Sequence, residues 1–297
     1  MTEAVKNDLR EHSKFAEINE NPAIKKRLET IVLNRFADWK TAAEADIPEG
    51  QVLLAVCYHY GIGVPEDHKE SFKWCRKAAE QGNAEGEYRL AFCYFLGEGV
   101  PEDQEEAVKW LRKAAEQGNA GAQRQFGVCY FDGIGVPEDK KEAVEWFRKA
   151  AEQGDADAQY VLCWSYFHGI GVPKDTEESV KWCQKSAAQG NAQAQRELGE
   201  YYLRGVGVPK DKEEAVKWFR KAAEQGFADA QAALGGCYYY GTGIAEDKTE
   251  GVKWLLRAAV QGSKNAANLL KKIEEEQKSA GASLFEQLST PSTMLLK

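Results

Sequence analysis

The sequence predicts an all-α protein built as a solenoid of two-helix units, and three observations carry that expectation. Trp74, Trp110, Trp146, Trp182, Trp218 and Trp254 recur every 36 residues without insertion or deletion. Glycines keep the same register, as pairs such as Gly97 and Gly99 in mid-period and singly at Gly82, Gly118, Gly154, Gly190, Gly226 and Gly262, so that 18 of the 27 glycines lie on the lattice. Each period also divides into two stretches with helical start and stop signals. A period between 20 and 50 residues is the signature of a repeat array, whose single units cannot bury an apolar face alone.

Residues 84–119 serve as the worked unit. A first helix is expected over 84–96, ending at Gly97, which enters the left-handed conformation without steric cost. A short G-x-G-V-P turn follows, and five of the eight prolines, at 65, 101, 137, 173 and 209, occupy this one loop position, with Ala245 breaking the series. Asp103 then reads as the N-cap of a second helix, with Glu106 as its reciprocal capping-box partner. The same D-x-x-E box recurs at Asp67, Asp139, Asp175, Asp211 and Asp247. Acids early and Arg112 and Lys113 late in this helix suit its dipole. Gly118 ends it and Asn119 caps the next, a role repeated by Asn83, Asp155 and Asn191 but not by Phe227.

The residues carrying this pattern read A-x-A-Q-x-x-L-G-x-x-Y-x-x-G-x-G-V-P-x-D-x-x-E-A-V-x-W-x-x-K-A-A-E-Q-G, clearest at 192–226. The pattern resembles the Sel1-like repeat. That resemblance implies a right-handed α/α superhelical solenoid, related in shape to tetratricopeptide repeats, with six repeats over 48–263 between helical N- and C-terminal caps. Residues 1–47 are expected to form the N-terminal cap, with a helix over about 4–19 and a degenerate second helix over 22–45 in which Trp39 sits one position out of register. A capping helix is expected over 264–279, polar enough to close the array. The tail 280–297 shows no sustained period and reads as flexible; the alternative is a docking peptide around Leu284 and Phe285.

Comparing the six copies separates what the architecture needs from what it leaves free. In the first helix a small residue, a Leu or Phe, and a Tyr are constant, as in Gly86, Leu90 and Tyr94, and these with the periodic Trp residues are expected in the core. Another face of the same helix, at positions i, i+4 and i+8, varies freely. Its members are Val52, Val56 and Tyr60; Tyr88, Phe92 and Leu96; Arg124, Val128 and Asp132; Tyr160, Trp164 and His168; Arg196, Glu200 and Arg204; and Ala232, Gly236 and Tyr240. The resemblance implies that first helices line the concave side. Aromatic residues with Arg are what interaction hot spots favour, so this stripe is the candidate protein-binding surface, apolar and aromatic in its N-terminal half and basic at Arg196 and Arg204. The competing reading is drift on a half-buried face.

Chemistry is sought and not found. Cys57, Cys93, Cys129 and Cys237 share one lattice position with Ser165 and Tyr201, and Cys75 and Cys183 share another with Leu111, Phe147, Phe219 and Leu255, which is how core residues interchange. The Cys pair bracketing the helix turn in secreted cysteine-rich relatives is absent. His12, His59, His68 and His168 show no metal-ligand spacing, the G-x-G pairs follow helices rather than strands, and no Ser has a Lys three residues on. No catalytic residue, metal or cofactor is therefore expected. A net charge of −8, with Lys and Arg interleaved among Glu, disfavours nucleic acid, and no run approaches the roughly 18 apolar residues of a membrane span. The odd count of seven Cys and a start without an apolar segment point to a reducing, cytoplasmic setting. The expected function is a non-catalytic adaptor or scaffold holding a protein or peptide in the concave groove. Its alternatives are a bacterial effector or toxin-neutralising immunity protein using that groove, or a small-ligand-binding or hydrolytic protein with, for instance, His168 beside Asp132 and Arg204.

Overall fold

The computed structural model describes residues 35–279 and, among them, only helices and the turns that join them. The expected helix over 4–19, the part of 22–45 before residue 35 and the tail 280–297 lie outside the described residues. The chain divides into two compact units, one ending at Asp155 and the other starting at Ala156. The first holds α1 (35–44), α2 (Pro48–Tyr60), α3 (His68–Glu80), α4 (Ala84–Leu96), α5 (Gln104–Glu116), α6 (Ala120–Asp132) and α7 (Lys140–Glu152). The second holds α8 (Ala156–His168), α9 (Thr176–Ala188), α10 (Ala192–Arg204), α11 (Lys212–Glu224), α12 (Ala228–Tyr240), α13 (Lys248–Val260) and α14 (Lys264–Ser279). Within each unit every helix packs on the next along the chain, as a solenoid requires.

The helix ends obey the signals read from the sequence, with one correction. Gly61, Gly97, Gly133, Gly205 and Gly241 all close first helices with positive φ. Asn83, Asn119 and Asn191 cap the following helices through their side chains, and Phe227 makes no such bond. Asp67, Asp103, Asp139, Asp175, Asp211 and Asp247 each accept the backbone N–H three residues on. The reciprocal half of the capping box is replaced. The N–H of each Asp already donates to the carbonyl of the lattice Tyr in the preceding helix, as Asp103 does to Tyr94 at 3.0 Å. The released Glu instead takes Lys one turn on, as in Glu106–Lys109 and Glu214–Lys217, along the solvated outer face.

The small and the Leu or Phe lattice residues form the core, whereas the lattice tyrosines, Tyr94 among them, are half-buried rather than buried as expected. Leu54, Leu90, Phe126, Leu162, Leu198 and Leu234 are buried with Ala78, Ala114, Ala150 and Ala222. The periodic tryptophans are less uniform than expected: Trp146 and Trp182 are buried, whereas Trp74, Trp110, Trp218 and Trp254 are half-buried. Each carries a cation over its ring from three residues further on, such as Lys113 at 3.8 Å from the Trp110 centroid and Lys149 at 3.4 Å from Trp146. An aliphatic stem and an ammonium over the ring shield it from water.

A side-chain ladder joins the helices at the turns between repeats. The amide of Gln153, just past α7, donates to buried Gln123 in α6 at 2.7 Å, and Gln123 donates in turn to the Ala115 carbonyl at the end of α5 at 3.1 Å. Gln225, Gln195 and Ala187 repeat the arrangement in the second unit, as do Gln261, Gln231 and Ala223. Glu87 is the exception. It is buried, accepts from Gln117 at 2.6 Å, and as a carboxylate has no proton to offer the preceding helix end. Burial pushes its pKa above the usual carboxylate range.

Glu87→Gln is expected to stabilise the fold at pH 7 by about 1 kcal/mol, the scale of one net hydrogen bond. Because the folded chain holds the Glu87 proton more tightly than the unfolded one, native stability falls as pH rises through the window above the ordinary carboxylate pKa. The advantage of the variant is therefore complete above that window and disappears below it, which urea denaturation at pH 7 and pH 4 measures.

Candidate functional site

The free stripe of the first unit is not a flat surface but the wall of a cavity of about 600 Å³. Val56 and Tyr60 of α2, Tyr88, Phe92 and Leu96 of α4, and Arg124 of α6 all line it. Tyr88 and Phe92 meet edge to face at 5.0 Å, and Phe92 leans on Phe95 at 6.3 Å. Leu96, at the mouth, is 62% exposed. Room for the Tyr88 ring comes from Gly121 in the first turn of α6, where a Cβ would lie 3.2 Å from Tyr88 Cζ and Oη. The corresponding residues in the other repeats are Glu49, Glu85, Asp157, Gln193 and Asp229.

The polar part of the lining is arranged in pairs. Arg124 Nε lies 3.2 Å from Asp155 Oδ2, and Arg89 Nη2 lies 2.8 Å from Glu85 Oε1, whose other oxygen accepts from Asn119 Nδ2 at 3.1 Å. Burial pushes Tyr60 and Tyr88 above the ordinary phenol range, so both are neutral donors at physiological pH. An apolar wall with a balanced charged rim suits a ligand carrying an apolar group flanked by polar backbone.

Two stripe assignments are corrected. Val52 is 0% exposed and offers no surface to a partner, while Val56, 2% exposed, contributes only to the cavity wall. Val56 packs with Leu53 and Cys57 against Trp39 and Ala42 of α1, which covers α2 as the missing repeat would. The basic patch at Arg196 and Arg204 is also neutralised: Arg196 pairs with Glu197, and Arg204 Nε reaches Glu200 Oε2 at 3.0 Å one turn back.

The remaining stripe residues lie as follows. In the first unit Val128 is half-buried and Asp132 exposed. In the second, Tyr160 is half-buried, Trp164 is 37% exposed and tilts against the exposed His168 at 4.8 Å, and Tyr240 is 46% exposed and meets Tyr239 edge on. Ala232 is buried against α13 and α14, and half-buried Gly236 lies beside Leu269.

The thiols are shielded from solvent, and hydrogen bonds with Cys93 and Cys183 hold Cys75 and Cys163 below the ordinary thiol range despite their burial. All seven cysteines are buried and unpaired, and burial lifts Cys57 to about 12 and Cys129 and Cys237 to about 11. The sequence reading passed over Cys163, which sits where other copies carry Gly or Ala and joins a buried group with Ser179 and Tyr201, the two hydroxyls 2.9 Å apart. It also missed the one grouping among the described residues with metal-ligand geometry: His59, His68 and Glu98 offer donor atoms within 4.8 Å of one another. Burial holds His59 below the ordinary histidine range, with Glu98 opposing it.

Comparison with known proteins agrees with the repeat register. Residues 48–83, 84–119, 120–155, 156–191, 192–227 and 228–263 each match the Sel1 repeat. A protective antigen of uropathogenic Escherichia coli strains with the same repeat fold is 39% identical over 77% of this chain, with a TM-score of 0.73. A Sel1 repeat protein from Oxalobacter formigenes is 39% identical over 76% of the chain, with a TM-score of 0.69. The match spans 49% and 65% of those two chains respectively. No curated protein matches at a significant level.

The thiol assignment has a direct check. Ellman's reagent at pH 8 is expected to leave all seven cysteines of the native protein unmodified over minutes and to titrate all seven in guanidinium; a thiol that reacts rapidly in the native state would contradict the burial.

Proposed function

The chain belongs to the Sel1 repeat family, a family of protein-interaction scaffolds, and from that premise we propose that it holds a segment of another protein in the cavity of its first unit. The segment would place one aromatic or branched aliphatic side chain against Tyr60, Tyr88 and Phe92. Its backbone would meet the paired charges of Arg124, Asp155 and Glu85 at the rim. One observation carries this reading. Repeat-equivalent positions that packing leaves free hold unlike residues, and in α2, α4 and α6 those residues together enclose one cavity. An aromatic surface of that kind, left uncovered, is a liability in a protein without a partner.

The exposed Trp164 and its neighbour His168 give the second unit an aromatic contact of its own. It is a smaller feature, and the proposal does not depend on it.

Selection of a random peptide library on the immobilised protein tests the reading. Wild type is expected to enrich peptides sharing a single large apolar anchor. Two variants should lose affinity at least tenfold, equivalent to about 1.4 kcal/mol: Phe92→Ala, which removes a wall, and Gly121→Glu, which forces the Tyr88 ring towards the cavity. Gly121→Glu installs the acid found at this position in other repeats, at a helix start where acids are favourable, so its melting temperature should match or exceed that of wild type. Absence of any enriched motif, or undiminished binding by both variants, would contradict the proposal.

A further inference from the structure

We propose that His59, His68 and Glu98 form a binding site for a divalent transition-metal ion of the Zn2+ class, linking the turn of the first repeat to that of the second. His59 is the next-to-last residue of α2, His68 the first of α3, and Glu98 lies between the two glycines that follow α4. His59 Nδ1 is 3.3 Å from Glu98 Oε2, and His68 Nδ1 is 3.9 Å from the same oxygen. The imidazole rings stand 5.2 Å apart at 71°. A tetrahedral ion with bonds of roughly 2.0–2.1 Å holds its donors about 3.3 Å apart. Of the three donor pairs, His59–Glu98 already has that spacing, and rotation of the His68 ring about its soft χ2 brings in the other two, at 3.9 Å and within 4.8 Å.

Two further features favour a cation there. The Nδ1 atom of His68 is shielded from water without a hydrogen-bond partner among the described residues, although it faces a carboxylate. The other ring nitrogen, Nε2, lies 3.0 Å from Glu66 Oε1. A carboxylate on the far nitrogen orients a metal-binding imidazole and leaves the near nitrogen's lone pair for the ion. All three donor side chains are half-buried, so an ion can reach them.

The other repeats show that packing does not require this set. At the position of His59 they carry Phe95, Phe131, Phe167, Leu203 and Tyr239; at that of His68, Gln104, Lys140, Thr176, Lys212 and Lys248; at that of Glu98, Ile62, Ile134, Ile170, Val206 and Thr242. Where Phe131 and Lys140 occupy the first two positions, they make a cation–π contact at 3.7 Å. Three departures from one pattern, at three distant points in the sequence, converge on one spot. The fold holds them together through Gly99, whose φ is +74° and where a Cβ would lie 2.1 Å from the His68 carbonyl oxygen, so the Glu98 loop lies directly on the first turn of α3. Three protein donors leave one position of a tetrahedral ion open.

The test is titration of chelator-treated full-length protein with Zn2+, read by competition with a chromogenic indicator and by X-ray absorption at the zinc edge. Wild type is expected to take up one equivalent in a nitrogen and oxygen shell, and its melting temperature to rise with Zn2+. The triple variant His59→Phe, His68→Lys, Glu98→Ile uses residue types the chain itself carries at these positions, so it should fold, lose at least tenfold in affinity and lose the thermal shift. No saturable equivalent in wild type, a sulfur-containing shell, or equal uptake by the variant would each overturn the proposal.

Discussion

A glutamine buried near the start of the first helix in five of the six repeats, with Glu87 in the sixth, is the constraint on which the rest depends. Where one two-helix unit meets the next, the last carbonyls of a helix face the interior and need donors. Gln123, Gln195 and Gln231 supply one from the side chain, and each is held in turn by the amide of the glutamine 30 residues on. This ties each of these first helices to the end of the helix before it. With the Asp N–H committed to the lattice Tyr carbonyl and left-handed glycines at both turns, little of the backbone's hydrogen bonding is left to chance. A unit so tightly specified tolerates no insertion, consistent with an unbroken period of 36.

The same constraint explains where variety is permitted. Residues that face the ladder, the core or the turn glycines are repeated almost unchanged, and only the remaining face of each first helix is free. In the first unit that freedom yields an aromatic-lined cleft, with Gly121 making room for the Tyr88 ring. Nearby but off that face, His59, His68 and Glu98 depart from the residues that the other repeats carry at a helix end, a helix start and a turn. His59 and Glu98 also line the cavity, so the two features share a wall without depending on one another.

Much of this is legible in the sequence because the repeat supplies six versions of one experiment. Helix α4 runs over Ala84–Leu96, the expected bounds, since Asn83 and Gly97 at fixed offsets leave no other place to start or stop. What escapes the sequence is whatever depends on distance across repeats. Val52 and Val56 look free because no tryptophan-register repeat precedes them, yet both are buried, Val56 against Trp39 of α1. The pairing of Arg204 with Glu200 follows from i,i+4 helix spacing and is legible in the sequence. The histidines and Glu98 are separated by 8 and 29 intervening residues, spacings that short metal-ligand patterns do not cover, and only the turn geometry brings them together. A signal did exist, in the simultaneous loss of the repeat's own residues at three lattice positions.

In helix α4 one face is fixed by the fold while the other, carrying Tyr88, Phe92 and Leu96, is left free by it. An abundance-based saturation scan of residues 84–119 in cells tests it most directly. The account predicts collapse on substitution of Gly86, Leu90, Tyr94 or Gly99, and retained abundance for most substitutions, polar ones included, at Tyr88, Phe92 and Leu96. If those three positions proved as intolerant as the lattice residues, the stripe would be core and the division between fold and recognition would be wrong.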